Sequence, residues 1–253
     1  MPDYYPVMLD LRGRPAIVVG GDRVAAEKAA GLAACGAAVT VLNQEFCDEL
    51  KAMAARGEVA LRRKAYEPGD LAGAFVVVAA VTYDRPMVDA VWAETQQRDQ
   101  LTNIVDVPSR CTFIVPSILR RDQLTIAVST EGATPGLAKR IRQRLEGLFP
   151  PAYGAYLRLG AVARARLRER GVSYNRRDHF FGEYVESDAL ARLADDDIAG
   201  ATATTAALLA RYGVDVPAGE LETCRRTCGG ACGATGGCRR VREARLAAGG
   251  QTR

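Results

Sequence analysis

Short apolar runs alternate with segments of helical spacing over the first hundred residues. The first run, Pro15–Val19, ends at two glycines, and a helical pattern over 24–35 leads into a second run over 38–42. Further strands are predicted over 59–62, 74–81 and 101–105, with helices over 45–55 and 84–97. Strands that alternate with helices build βαβ units, so this pattern predicts an α/β fold with a doubly wound, Rossmann-type parallel sheet.

The pattern changes after residue 110. Two strands are predicted over 111–119 and 124–129, and helices over 135–148, 153–170, 188–194 and 197–212. The sequence therefore predicts a Rossmann-type domain over 1–110, a small α+β segment over 111–149 and a C-terminal helical domain over 150–216. Residues 217–253 form a tail rich in Cys, Gly and Arg, for which we expect little packed structure without a ligand.

The composition argues against a membrane-spanning or secreted protein. The chain has 253 residues, of which 48% are apolar and 25% charged, enough for one large domain or two modest ones. Its longest apolar run, 72–81, is far shorter than the roughly 20 residues needed to span a bilayer. The N-terminus lacks the layout of a signal peptide, so we expect a cytoplasmic protein that does not enter a membrane. Its seven cysteines are then expected to be free thiols.

Arginine dominates the basic residues. Of 34 basic residues only four are lysines, so thirty are arginines. GC-rich codon usage explains such a bias, and so does recognition of carboxylate or phosphate groups by the planar arginine fork. Residues 139–177 hold eleven basic and two acidic side chains, which indicates either a solvated helix face or a carboxylate-binding surface. Nucleic-acid binding is not expected, because no aromatic platform, zinc finger or recognition-helix pattern accompanies the charge.

The first strand runs through a glycine-rich turn into a helix. Such a turn presents backbone N–H groups and a helix N-terminus to a pyrophosphate, usually with G-x-G-x-x-G/A spacing. Gly20 and Ala25 occupy the first and last positions of that motif, whereas Asp22 replaces the middle glycine and would repel a diphosphate. The motif predicts either a dinucleotide site that includes Gly20, Gly21 and Asp22, or a tight turn without a ligand.

Polar residues follow the second and fifth predicted strands, at the ends where open α/β sheets place their ligands. Glu45, or the amide of Asn43 or Gln44, is a candidate for binding ribose hydroxyls. The alternative for Asn43 is that it caps the next helix. Asp106 follows the fifth strand and is either a general base or a turn residue before Pro108.

Several separate motifs then occur in an unbroken order. They include YPVMLDL at 5–11, VVGG at 18–21, NIVD at 103–106, FI at 113–114, PSI at 116–118 and LTIAVST at 124–130, with Val24, Ala25, Lys28, Pro108, Cys111, Gly132, Thr134, Pro135, Leu137, Ala138 and Arg140. In these positions the chain resembles the siroheme synthase N-terminal family of precorrin-2 dehydrogenases and sirohydrochlorin ferrochelatases. The resemblance covers residues 4–148, with weaker helical similarity to residue 215.

The resemblance implies NAD-dependent oxidation of precorrin-2 to sirohydrochlorin, with ferrous iron inserted as a substrate metal to give siroheme. It also implies an NAD-binding Rossmann domain, a dimerisation and substrate segment and a helical domain, working as a homodimer on an acidic tetrapyrrole. The eight carboxylates of that substrate would bind arginines between 139 and 177. A separate uroporphyrinogen methyltransferase is a candidate partner.

Motif and resemblance together assign roles to individual residues. Asp106 matches the family's catalytic aspartate, a base for dehydrogenation and metal insertion alike. The assigned cofactor-binding residues are Gly20, Gly21, Asp22, Arg23, Val24, Gln44, Glu45 and Thr82. The assigned substrate-binding residues are Asn103, Ser129, Thr130, Thr134, Pro135 and Arg140.

The chain departs from the family at Asp22, where the family has a glycine. We expect NAD still to bind, with the turn displaced slightly outward. One alternative is a ferrochelatase or tetrapyrrole-binding protein without dehydrogenase activity. Another, from a different class, is a dinucleotide-sensing regulatory module that signals through the helical domain. Such a module needs no residue like Asp106, so substitution of Asp106 separates it from an enzyme.

Four of the seven cysteines crowd into the tail, outside the resemblance. They are Cys224, Cys228, Cys232 and Cys238. Four thiolates suffice to ligate a metal such as zinc, or an iron–sulfur cluster, but the C-x2-C pairs typical of such sites are missing. The alternatives are a metal-handling tail that delivers iron to a chelatase and a tail with incidental thiols.

Overall fold

The computed structural model describes residues 4–81, 84–217 and 221. They form two compact units, and each is described by itself. The first unit contains the described residues through Val115 together with Glu131–Ala133, and the second contains Pro116–Thr130 and the described residues from Thr134 onward. Within these ranges, no helix combines the length and apolar character needed to cross a membrane.

The first unit is a five-stranded parallel sheet with helices between its strands. Its elements are β1 (Pro15–Val19), α1 (Arg23–Ala34), β2 (Ala38–Asn43), α2 (Asp48–Ala55), β3 (Ala60–Arg63), β4 (Val76–Ala79), α3 (Arg85–Gln97) and β5 (Leu101–Ile104). The strand order is β3-β2-β1-β4-β5, which confirms the predicted doubly wound sheet. The order reverses between β1 and β4, and open α/β sheets bind ligands outside the carboxyl ends of their strands at such a reversal.

Apolar side chains cover both faces of this sheet. Val18 of β1 lies in one buried cluster with Ala25 of α1 and Leu50 of α2. Val19, on the opposite face, lies in a second buried cluster with Val91 of α3. Strands buried on both faces carry continuous apolar runs rather than alternating ones, which is why the runs in β1 and β4 predict buried parallel strands.

Two predicted element boundaries are wrong. The helix α2 begins at Asp48 rather than at residue 45, because residues 44–47 form a loop tied to the glycine turn. The strand predicted over 111–119 begins only at Ser117 and ends at Arg121. Residues 111–113 instead follow the free edge of β5, where the backbone N–H of Thr112 donates to the carbonyl oxygen of Thr102 at 2.8 Å.

The second unit combines an antiparallel hairpin with helices. Its elements are β6 (Ser117–Arg121), β7 (Leu124–Val128), α4 (Pro135–Leu148), α5 (Ala152–Glu169), α6 (Tyr174–Glu186), α7 (Ala189–Ala194) and α8 (Ile198–Arg211). Asp122, in the hairpin turn, has a φ of +54°, a conformation that Asp tolerates better than most residues. The helices predicted on either side of α6 are confirmed to within a residue at each end.

No sequence pattern predicts α6. Its residues include Asn175 and Gly182, which have low helix propensity. Packing sets its position instead, because Phe180 and Tyr184 are buried and the Tyr184 ring stacks on that of Tyr156 in α5, with ring centroids 4.5 Å apart. Burial of these aromatic side chains therefore outweighs local propensity.

Candidate active site

The turn between β1 and α1 requires glycine at its first two positions. Gly20 has a φ of +137°, and a Cβ there would approach the backbone oxygen of Ala80 to 3.0 Å. At Gly21, a Cβ would lie 1.9 Å from the backbone oxygen of Glu45 and 2.3 Å from the amide nitrogen of Asn43. The turn therefore packs against the loop after β2 with no room for a side chain.

The loop after β2 is locked against this turn. The Asn43 amide donates to the carbonyl oxygen of Glu45 at 2.7 Å, and the backbone N–H of Cys47 donates to the carbonyl oxygen of Gly21 at 2.7 Å. Cys47 is the N-cap of α2, so the alternative in which Asn43 caps that helix is wrong. Gln44 and Glu45 are exposed and remain the candidates for contacting a ribose.

Asp22 caps the N-terminus of α1. Its φ and ψ are −90° and −173°, an extended conformation that any residue adopts, so the backbone does not require glycine here. Its carboxylate accepts a hydrogen bond from the backbone N–H of Ala25 at 2.9 Å. Among the described residues, none accepts from the backbone N–H of Arg23 or Val24. Two donors at the positive end of the helix are thus available to an anion, beside a carboxylate.

Arg23 and Val24 begin α1 at the surface. The Arg23 guanidinium pairs with Glu49 of α2, with Nε and Oε1 3.2 Å apart, and the Arg23 side chain is 86% exposed. Exposed ion pairs contribute little stability, so this pair does not prevent Arg23 from contacting a ligand. Val24 is also exposed. Thr82, the remaining predicted cofactor residue, lies outside the described residues.

Asp106 lies in the turn that follows β5. The β5 strand pairs with β4, and the backbone N–H of Val105 continues the ladder by donating to the carbonyl oxygen of Ala79 at 3.0 Å. Asp106 has a φ of +58°, in the left-handed region where Asp is enriched, and the residue is exposed. It is therefore a turn residue and also an exposed acid at the carboxyl edge, one strand from the β1–β4 reversal.

Two residues contact this site in ways that spacing does not predict. Asn43 clamps the loop after β2, and the thiol of Cys111 contacts the Asp106 turn. The sequence shows a polar residue at the end of β2 and a cysteine shortly after Asp106. It does not show which residues these two side chains contact. Asn103, a predicted substrate residue, donates its amide to the carbonyl oxygen of Phe113 at 3.0 Å and so ties the chain after the turn to β5.

The other predicted substrate residues belong to the second unit. They are Ser129, Thr130, Thr134, Pro135 and Arg140. The backbone N–H of Thr134 donates to the Thr130 hydroxyl at 3.2 Å, which brings these two residues together before α4. Pro135 is the first residue of α4, and Arg140 is exposed on the same helix.

Two family models match the chain. A model of NAD(P)-binding domains matches residues 7–117, and a model of the central part of sirohaem biosynthesis proteins matches residues 121–148. The first match covers the sheet, the glycine turn and Asp106, so the first unit contains an NAD(P)-binding domain.

Relatives and a solved structure agree with these matches. Siroheme synthases from Photorhabdus laumondii and Methylobacillus flagellatus are 37% and 39% identical over 179 and 181 residues, which is 71% and 72% of this chain. The chain spans only 38% of the length of each relative. The structure of SirC, precorrin-2 dehydrogenase, matches with a TM-score of 0.68 and 28% identity, covering 83% of this chain and 99% of that chain. This chain belongs to the siroheme synthase N-terminal family.

Proposed function

We propose that this chain oxidises precorrin-2 to sirohydrochlorin with NAD. One observation carries the proposal: Asp106 is exposed at the carboxyl edge of the sheet, beside the strand reversal where the glycine turn lies. The matched precorrin-2 dehydrogenase, aligned over 99% of its length, supports it. Such an oxidation removes a hydride and a proton from the substrate, so it needs a dinucleotide site and a positioned base.

The residues of the first unit suit a dinucleotide. The backbone N–H groups of Arg23 and Val24 would bind the diphosphate, since a helix N-terminus favours an anion. The exposed side chain of Glu45 or Gln44 would bind the ribose hydroxyls. NAD, when bound, supplies the hydride acceptor.

Asp106 is the proposed base. Its carboxylate is exposed, and no side chain or backbone group in the described ranges forms a hydrogen bond or ion pair with it. The carboxylate is therefore available to take a proton from the substrate. We propose that it also serves the insertion of ferrous iron, because that step displaces two pyrrolic protons and requires a base as well.

The second unit carries exposed arginines that suit carboxylate groups. Arg140 and Arg144 are exposed on α4, whereas Arg142 pairs with Glu146 on the same helix. Within the part of the chain that the structure describes, Arg140 and Arg144 have no acidic partner. These two arginines are thus available for bidentate binding of carboxylates.

Anaerobic absorption spectroscopy with precorrin-2 tests the proposal. We expect the sirohydrochlorin spectrum to develop when NAD is added, and to change again when ferrous or cobaltous ion follows. Metal insertion into supplied sirohydrochlorin without any response to NAD would favour the ferrochelatase alternative. NAD binding without either reaction would favour the dinucleotide-sensing module.

The Asp22→Asn variant is expected to bind NAD about five- to tenfold more tightly than the native protein, because a carboxylate a few ångströms from a diphosphate repels it. Asn is as good an N-cap as Asp, so the unfolding free energy should fall by less than about 1 kcal/mol through the lost interaction with the helix dipole. Titration calorimetry at two salt concentrations measures the effect. Equal NAD affinity in the two proteins would show that Asp22 does not face the diphosphate.

We further propose a cytoplasmic homodimer. Apolar side chains of the hairpin and α4 support it, since Ile118, Leu137 and Leu148 are exposed and Ala138 is the buried residue of α4. Light scattering that reports a monomer at micromolar concentration would contradict the dimer. A separate uroporphyrinogen methyltransferase is the class of enzyme that would supply the substrate.

The four tail cysteines lie outside the described residues. Their clustering in the sequence supports the proposal that they bind iron, zinc or an iron–sulfur cluster. Metal analysis of anaerobically purified protein, with the tail deleted at residue 217 as the control, tests it. Equal metal content in both proteins would contradict a metal-binding tail.

A further inference from the structure

The turn that carries Asp106 has an unfavourable backbone conformation. Residues 104–107 form a four-residue turn closed by a hydrogen bond of 3.1 Å from the Val107 N–H to the carbonyl oxygen of Ile104. Asp106, inside this turn, has a φ of +58°. A residue with a side chain keeps a left-handed conformation only when its surroundings hold it there. Asp tolerates this conformation better than most residues, and contacts outside the turn add to the hydrogen bond that closes it.

The thiol of Cys111 makes such contacts at both ends of the turn. Its Sγ lies 3.3 Å from the backbone nitrogen of Ile104 and 3.3 Å from the carbonyl oxygen of the same residue. It also lies 3.4 Å from the carbonyl oxygen of Val107. The sulfur accepts from the Ile104 N–H and from the side-chain amide of Asn103, whose nitrogen lies 3.7 Å away, and the thiol proton is donated to one of the two carbonyl groups. Burial raises the pKa of the Cys111 thiol above its usual value, so the thiol keeps its proton at neutral pH.

The chain around Cys111 is itself anchored to β5. The backbone N–H of Thr102 donates to the Thr112 hydroxyl at 2.8 Å, and the backbone N–H of Thr112 donates to the carbonyl oxygen of Thr102 at 2.8 Å. The Asn103 amide donates to the carbonyl oxygen of Phe113 at 3.0 Å. Because the sulfur is fixed to the sheet in this way, its contacts fix the turn relative to the sheet.

The position of the Asp106 carboxylate depends on this turn. Within the described ranges no side chain contacts that carboxylate, so the backbone of the turn sets the position and direction from which it projects. We infer that Cys111 is a positioning residue for Asp106, acting through the Ile104 and Val107 backbone to hold the carboxylate ready for proton transfer. The inference rests on the proposed function, since Asp106 is the base of that reaction.

Three variants test the inference in the full-length protein. Cys111→Ala removes every contact of the sulfur, whereas Cys111→Ser keeps a group that donates and accepts. Cys35→Ala is the matched control, because Cys35 is a partly buried thiol of the same unit, at the C-terminal end of α1. Each variant is assayed for precorrin-2 oxidation well below its unfolding temperature, so that lost stability alone does not reduce the rate.

We expect Cys111→Ala to lower kcat by about 10- to 100-fold, because misplacement of a reacting group by about 1 Å costs this much. The KM for NAD should change by less than about twofold, because the glycine turn follows β1, whereas Cys111 contacts the turn after β5. Cys111→Ser should recover kcat to within about threefold of the native value, and Cys35→Ala should keep it. If Cys111 were merely structural, Cys111→Ala would lower the unfolding temperature but would not lower kcat while leaving the KM for NAD unchanged.

Amide hydrogen exchange supplies a readout that does not depend on activity. The backbone N–H groups of Ile104 and Val107 should exchange faster in Cys111→Ala, regain protection in Cys111→Ser and stay unchanged in Cys35→Ala. A native kcat in Cys111→Ala, or native protection of both amides, would overturn the positioning role. A native protein that does not oxidise precorrin-2 would instead overturn the proposed function, and the positioning role with it, whatever the exchange result.

Discussion

The Asp106→Asn variant is expected to oxidise precorrin-2 about 10²- to 10⁴-fold more slowly than the native protein, the usual contribution of a general base. The amide of Asn cannot take up a proton at neutral pH, whereas its size and its tolerance of a positive φ match those of Asp. The turn after β5 should therefore keep its shape, and NAD should bind with native affinity. Stopped-flow absorbance under anaerobic conditions measures the rate, and calorimetry measures NAD binding.

Asp99→Asn is the matched control for this variant. Asp99 is also an exposed aspartate with a positive φ, +51°, but it precedes β5 and so lies at the opposite edge of the sheet. We expect it to keep the native rate. A native rate in Asp106→Asn would contradict the role of Asp106 as a base. A loss of iron insertion together with oxidation would support one base for both reactions.

The Gly21→Ala variant is expected to weaken NAD binding by at least about tenfold and to lower the unfolding free energy by about 1–3 kcal/mol, the usual cost of forcing extra atoms into a packed region. The added methyl group would lie 1.9 Å from the carbonyl oxygen of Glu45. A backbone atom has no rotamer by which to move aside, so the loop after β2 or the glycine turn has to shift. Either shift disturbs the N–H groups that would bind the diphosphate.

Gly31→Ala supplies the control within the same unit. Gly31 lies in the middle of α1, and a Cβ there would have no atom within 4 Å. This substitution should raise the unfolding free energy by about 0.5–1 kcal/mol, because Ala loses less backbone entropy than Gly in a helix. NAD affinity should not change. Thermal unfolding and NAD titration of both variants measure these effects. Equal stability and equal NAD affinity in Gly21→Ala and Gly31→Ala would contradict the close packing at Gly21.

Elements of strong periodicity could be predicted from the sequence, and elements set by packing could not. The strands β1 and β4 are continuous apolar runs, and α4 is bounded by Pro135 and by the two prolines after Leu148, so local chemistry suffices for each. The helix α6 combines weak helix formers, and burial of Phe180 and Tyr184 explains it. The loop 44–47 replaces the predicted start of α2, because the backbone N–H of Cys47 donates to Gly21 in the turn after β1 and the Asn43 amide holds the carbonyl oxygen of Glu45.

The site divides in a similar way. The sequence alone indicates the glycine turn, the acid after β5 and the family, since these depend on residue type and order along the chain. It also shows Asp22 in place of a glycine, but only the structure shows that this carboxylate caps α1 and that the backbone there does not require glycine. The contacts of Cys111 with the Asp106 turn likewise come from the tertiary structure.

Periodicity and motif order by themselves therefore determine the parallel sheet, the edge at which a ligand is expected and the chemical class of the residues along that edge. The tertiary structure decides which backbone groups remain available to a ligand and which side chains contact the turn that carries Asp106. The physical reason is range: helix and strand propensity act between neighbouring residues, whereas hydrogen bonds and close packing join residues such as Gly21 and Glu45 whose separation in the chain carries no periodic signal.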